Sequence, residues 1–264
     1  SIIRQSFPYA LLIFLMIIYT RVDSVMVERM HWNGKTEAGF YAKGFRLLNA
    51  FFMFAMIFSN LLFPMFSKMF KLKENVIPLL ATSAKLLIGG AILLSILSFF
   101  NSEYILNLIY TDHIQESNQP FQLLMFSFIG MCSTILYGTL LTARGNMTFL
   151  NSVSAIGIVV NIAMNSYLIP EYGATGAAIA TVITQSLISA IQFVYSIRIL
   201  KIQFKLKDTA FFIGYVTVLI VGCYFFRANS ALTFMALLFA SLLSMFFFRI
   251  IDVKNLKRII AQKV

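Results

Sequence analysis

The stretch YTRVDSVMV, residues 19–27, sets Arg21 and Asp23 inside an otherwise apolar run. A charge at the centre of a membrane span costs roughly 2.5–3.5 kcal/mol on insertion scales, so each of the two requires a partner, water or a task. At i and i+2 they point to different faces of a helix and need not pair with each other. Solvation at a helix end stays open for both. The next apolar run opens GFYAKGFRLLN, where Lys43 and Arg46 are i and i+3 and share a face. They either snorkel to the outer interface or form a cationic wall for an anionic ligand. Lys85, two turns into a third run, allows the same two readings, with snorkelling the plainer one for a lone lysine.

Neutral hydrogen-bonding groups form two further series. Asn151, Ser154, Asn161 and Asn165 keep to one helical face, and so do Thr181, Gln185, Gln192 and Ser196. Such stripes avoid lipid and face either neighbouring helices or a water-filled cavity. The segment GATGAAIAT, residues 173–181, places small residues at helical spacing, which lets helices pack closely; it is assigned no ligand role. TDHIQE gathers Asp112, His113 and Glu116, but with no second histidine it reads as a solvated loop rather than a metal or acid–base site. No phosphate-cradling Gly-Lys loop, serine elbow or paired-carboxylate motif is present, so ATP hydrolysis by this chain is not expected. Cys132 and Cys223 lie in apolar runs without metal-ligand spacing, and no disulfide framework, metal site or cofactor is expected.

The elements that must position these residues follow from composition. Of 264 residues 59% are hydrophobic and 12% charged, and the mean hydropathy is +0.84, which fits an all-α polytopic membrane protein and no soluble class. Eight runs reach the roughly 20 residues needed to cross the hydrocarbon core. They are residues 6–27, 39–66, 77–100, 119–142, 148–169, 174–197, 209–226 and 232–249. The runs are continuous and lack period-2 alternation, so helices are expected rather than barrel strands. The second is long enough to tilt or to leave one end outside the lipid.

The formal charge of +11 could suggest nucleic acid, but the bases sit in short connections. Lys68, Lys71, Lys73, Arg144, Arg198, Lys201, Lys205, Lys207 and the tail bases fall on one side if the spans alternate. The other side holds mainly Glu28, Glu37, Glu103, Asp112, Glu116 and Glu171. The bias of lysine and arginine toward the cytoplasm then places both termini of this chain inside. The tail RIIDVKNLKRII is expected to lie on the inner membrane surface.

Two stretches carry a family resemblance. RVDSVMVERMHWNGKTEAGFYAKGFRLLNAFFMFAMIFSNLLFPMFSKM has an Asp in its first helix, then G-x-Y-x-x-x-x-R, then L-F-P-x-x-S. NIAMNSYLIPEYGATGAAIATVITQ joins an Asn-rich helix to a small-residue helix through Ile-Pro and Gly-Ala. Together they resemble the second half of the polysaccharide (O-antigen, Wzx-like) flippases of the multidrug/oligosaccharidyl-lipid/polysaccharide exporter superfamily. The resemblance runs from about residue 5 to 249 and implies a second six-helix bundle over residues 1–197. Two accessory helices over 198–249 and a basic tail over 250–264 would follow. It also implies that the N-terminal bundle of the same polypeptide precedes Ser1, in keeping with the absence of an initial Met.

The implied function is transport rather than catalysis: alternating-access movement of polyprenyl-pyrophosphate-linked oligosaccharide across the bacterial cytoplasmic membrane, with possible coupling to H⁺ or Na⁺. On this reading Arg21, Lys43, Arg46 and Lys85 would hold pyrophosphate or acidic sugars. Asn161, Asn165 and Gln185 would meet sugar hydroxyls. Asp23 matches a family position and would form a structural ion pair with a base on the next helix, Lys43 or Arg46. The accessory pair could form a groove for the polyprenyl tail, as in the lipid-linked peptidoglycan precursor flippases that the family resembles. Two alternatives compete with it: a cation-coupled multidrug exporter of the same superfamily, which would favour acidic cavity residues, and a membrane polysaccharide polymerase or ligase, which would need a larger catalytic loop.

Overall fold

The computed structural model describes residues 22–202, 206–228 and 230–248, together with Phe14 and Ile250. The described residues contain helices and no strands. Residues 22–30 form the end of the first helix, α1. There follow α2 (Gly34–Lys71), α3 (Ile77–Phe100), the short α4 (Ser102–Ile109), α5 (Ile114–Arg144), α6 (Met147–Leu200), α7 (Leu206–Phe225) and α8 (Ala231–Phe247). Most of the expected first span and the basic tail lie outside the described residues.

α3 coincides with the expected span, and α5 and α2 overrun theirs by several residues. α6 is hydrogen-bonded as a single helix of 54 residues, which would be about 80 Å long against a hydrocarbon core of about 30 Å. It is two spans joined at a kink. Gly173 has φ 53° and ψ −127°, a conformation that side chains disfavour, and Pro170 just before it carries no N–H to continue the ladder. The halves of α6 therefore match the two expected runs, 148–169 and 174–197.

α5 is the central post, packing against α2, α3, α4 and both halves of α6. Its contact with α2 and α6 is built from Phe40, Tyr41, Leu48 and Ala55 on α2, Leu124, Phe128 and Ile135 on α5, and Ala174, Ala177 and Ala178 on α6. The small-residue segment thus serves close packing, as its spacing implies. A Cβ on Gly130 of α5 would stand 3.0 Å from the backbone of Gln185, so these two helices approach at a distance that admits no side chain between them. Ser59 Oγ and Thr139 Oγ1, 2.5 Å apart, add a polar tie between α2 and α5. α7 and α8 pack on each other and on α3, through Ile92, Leu93 and Ile96 against Tyr215, Leu219 and Met245. The Tyr215 hydroxyl donates to the Gly89 carbonyl at 3.0 Å.

Much apolar surface faces outward. Met53, Phe54, Ile57 and Leu61 on α2 are all more than half exposed. In water such a surface would drive aggregation; in a bilayer it is the normal exterior. Four of the described helices are long and apolar enough to cross a membrane, and α7 and α8 are shorter apolar helices.

Candidate functional site

Asp23, on α1, is 3% exposed and sits where α1, α2 and the two halves of α6 converge. The Tyr41 hydroxyl, from α2, donates to its Oδ2 at 3.0 Å. The Asn165 side-chain amide, from the first half of α6, donates to its Oδ1 at 2.6 Å. Thr181 Oγ1, from the second half, lies 2.8 Å from Oδ2 and 2.9 Å from the Ala177 carbonyl, so its single proton serves one acceptor or is shared between them. The Asn165 amide also reaches Asn161 Oδ1 at 3.1 Å. Tyr41 is fixed in place by stacking on Phe45, with ring centroids 5.6 Å apart.

This arrangement differs from the expected ion pair. The carboxylate of Asp23 is met by neutral donors, and among the described residues no cation pairs with it. Lys43, one expected partner, turns away from Asp23. Its ammonium lies 3.7 Å from Asp112 Oδ2, donates to the Asp112 carbonyl and sits 5.4 Å over the Tyr110 ring. The physical reason is helical phase: Tyr41 points inward from α2, and Lys43 two residues on points toward the α4–α5 turn. Arg46, the other expected partner, is exposed and makes no ion pair among the described residues.

Asn161 and Asn165 are buried at 1% and 0% and form part of the Asp23 cluster. Gln185 is buried one turn beyond Thr181, with its backbone against Gly130. Lys85 is half-buried on α3 and lies outside the cluster. Arg21 lies outside the described residues. The structure therefore brings together Asp23, Asn161 and Asn165, and leaves Lys43, Arg46 and Lys85 in separate places.

Three residues in this region are not among the site residues expected from the sequence. Tyr41 is the tyrosine of the G-x-Y-x-x-x-x-R pattern, and Thr181 belongs to the polar stripe that includes Gln185, so both carried a signal. Glu37 carried none. Its Oε2 accepts the backbone N–H of Ala174 at 2.8 Å, capping the helix that restarts after the Gly173 kink. A Cβ on Gly173 would fall within the Glu37 carboxylate.

Two buried polar atoms of the cluster, Asn165 Oδ1 and Asn161 Nδ2, make no hydrogen bond within 3.5 Å among the described residues. The first adds to the hard oxygen acceptors already present on Asp23, Asn161, Thr181 and the Ala177 carbonyl. A buried carboxylate among neutral oxygens is chemically suited to a proton or a small hard cation, and not to an anion. Among the described residues no group of three His, Cys, Asp or Glu side chains is placed to hold a metal ion.

Comparison with known proteins gives the class. The family model described as lipid II flippase MurJ matches residues 41–252, which spans α2 through α8. No curated protein and no solved structure matches the chain. The match supports a lipid-linked-substrate flippase of the wider exporter superfamily, a transporter and not an enzyme, and sets the polymerase or ligase reading aside. It does not single out the O-antigen branch that the sequence motifs resemble. The chain belongs to the lipid II flippase MurJ family.

Proposed function

We propose that this chain is the part of a lipid-linked-glycan flippase that carries its coupling node, and that the glycan is a peptidoglycan precursor. The family match over residues 41–252 carries this reading, because the matching family is described by lipid II. O-antigen repeat units are the second substrate class, favoured only by the motif resemblance. A multidrug exporter is the less favoured reading, since Asp23 is the one acid deep among the described helices and Arg46 on α2 is an exposed cation. The positive side of the bundle faces the cytoplasm on this reading, so α4 and the α7–α8 turn lie outside.

The roles divide by location. Arg46, exposed on α2, is the leading candidate for the pyrophosphate, because a guanidinium binds phosphate oxygens in bidentate fashion. Lys85 and Arg21 remain secondary candidates. The Asp23 cluster is the coupling node. Binding H⁺ or Na⁺ there would change the charge at the point where α1, α2 and the two halves of α6 meet. Asp23, Thr181, Asn161 and, with its amide turned, Asn165 would supply the oxygens. A change of hydrogen bonding at such a junction biases how the helices pack, which is the element that alternating access requires.

The test uses the intact polypeptide in cells that depend on it. Replacing Arg46 with Gln is expected to make a lipid-linked precursor accumulate on the cytoplasmic side while membrane insertion stays normal. Accumulation of the peptidoglycan precursor supports the first substrate. Accumulation of O-antigen units alone supports the second. Unchanged levels of both would remove Arg46 from the substrate path.

A further inference from the structure

A second polar site lies away from the Asp23 cluster. At the end of the bundle that carries α4, a cleft of about 460 Å³ opens between α4, the start of α5 and the α7–α8 turn. Its size falls within the roughly 300–1,000 Å³ of small-molecule sites. The walls are firmly built. Asn101 Oδ1 accepts the Ala228 N–H at 2.7 Å, and its amide donates to the Leu97 carbonyl at 2.9 Å, tying the α7–α8 turn to the end of α3. Gln122 Nε2 donates to the Phe99 carbonyl at 3.0 Å and to Ser102 Oγ at 2.9 Å, fixing α5 against the α3–α4 corner.

The groups left over face a ligand's chemistry. Asn118 Oδ1 is buried without a donor among the described residues. Gln122 uses its amide nitrogen and keeps its oxygen, and Asn107 is exposed in the same lining. Glu103 and Arg227 both line the cleft, both are exposed, and neither forms an ion pair among the described residues. Tyr104 contributes a ring, held by Phe234 at 5.5 Å between centroids. One cation against one anion leaves the cleft without net charge, so an anionic headgroup gains little there. Amides, a carboxylate, a guanidinium and an aromatic face together match a hydroxyl- and amide-bearing neutral ligand with one apolar face.

We infer that this cleft is a saccharide-binding subsite, holding the sugar of a ligand at the membrane surface through Glu103, Asn107, Asn118 and Arg227, with Tyr104 against the ring. The inference deepens the flippase reading and rests on it only for the source of the sugar. On that reading the cleft receives the glycan on the side to which it is delivered. Free saccharide is the other source of the same chemistry.

The test measures binding to the intact polypeptide in nanodiscs, with N,N′-diacetylchitobiose as a soluble probe and a polyprenyl-pyrophosphate-linked disaccharide as the anchored one. Saturation transfer to sugar protons is expected in the unmodified protein. Glu103→Ala and Arg227→Ala are each expected to weaken binding about tenfold, the usual loss when a hydrogen bond to a charged group is removed. Glu103→Gln, which preserves shape, keeps part of the affinity and guards against misfolding of the alanine variant. Binding of both probes shows that free sugar suffices; binding of the anchored probe alone assigns the lipid-linked source. Equal affinity in all variants, or no binding of either probe, overturns the subsite. A parallel transport assay separates the two readings. Transport with no cleft-dependent binding sinks the subsite alone, and cleft-dependent binding with no transport sinks the flippase reading alone.

Discussion

The Asn165 amide donates to Asp23 Oδ1 at 2.6 Å across 142 residues of chain, joining the first helix to the fifth apolar run. With Tyr41 and Thr181 on the other carboxylate oxygen, four helical segments meet on one acid. The pairing makes Asp23 a structural tie, and Asp23 is the one acid deep among the described helices.

Removing that acid is therefore expected to have two separable effects. Asp23→Ala removes the acceptor on which three buried donors converge and is expected to destabilise the protein by about 2–5 kcal/mol, read as a lower apparent melting temperature in detergent. Asp23→Asn keeps the shape and should fold, but is expected to lose more than about tenfold in transport. If Na⁺ or H⁺ binds at this node, adding it raises the melting temperature of the unmodified protein by mass action and leaves Asp23→Asn unmoved. An equal rise in both proteins would remove Asp23 from coupling.

The Gly173 kink offers a test of fold rather than chemistry. Gly173→Ala forces a side chain into φ 53° and against the Glu37 carboxylate. A loss of about 2–4 kcal/mol is expected, with reduced yield of folded protein. Glu37→Gln keeps an acceptor for the Ala174 N–H but drops the charge at a helix N-terminus, and should cost only about 0.3–1 kcal/mol. Comparable losses for the two variants would mean that the carboxylate charge, and not the glycine backbone, holds the kink.

Lys43 and Arg46 are predicted to differ although they are one turn apart. Lys43→Ala loses the ties to Asp112 and Tyr110 and should lower stability by about 1 kcal/mol or less, since Asp112 is 68% exposed and solvent screens the pair. Arg46→Ala should leave the stability within about 0.5 kcal/mol of the original while reducing transport. Melting curves and precursor flipping, measured on both variants, check the division. A transport defect confined to Lys43→Ala would reverse it.

The α7–α8 pair is held on α3 by packing and by two buried hydrogen bonds, from the Tyr215 hydroxyl to the Gly89 carbonyl and from the Ala228 N–H to Asn101 at the end of α3. Tyr215→Phe is expected to cost about 1 kcal/mol and to raise hydrogen exchange in α7 more than in α5. A uniform rise across the bundle would show that the pair unfolds together with the rest.

What the sequence alone determined was the class and the places of the long apolar helices. Apolar runs of membrane-crossing length are a local property, and lipid leaves the backbone no alternative to helix, so α3, α5 and both halves of α6 were readable one by one. The Asn161–Asn165 face and the Thr181–Gln185 stripe were also legible, because helical phase is fixed by residue spacing. Partner choice was not. Charge alone favours Lys43 or Arg46 for Asp23, yet Lys43 two residues after Tyr41 points to another side of α2, and the converging neutral donors come from helices far away in sequence. Glu37 gave no signal, since its partner is a backbone N–H exposed only by the kink at Gly173. The cleft beside α4, too, exists only once the α7–α8 turn is tied to Asn101. Burial and spacing are written along the chain; which faces meet is decided by packing around α5, and only that packing shows which polar groups are satisfied and which remain for a ligand.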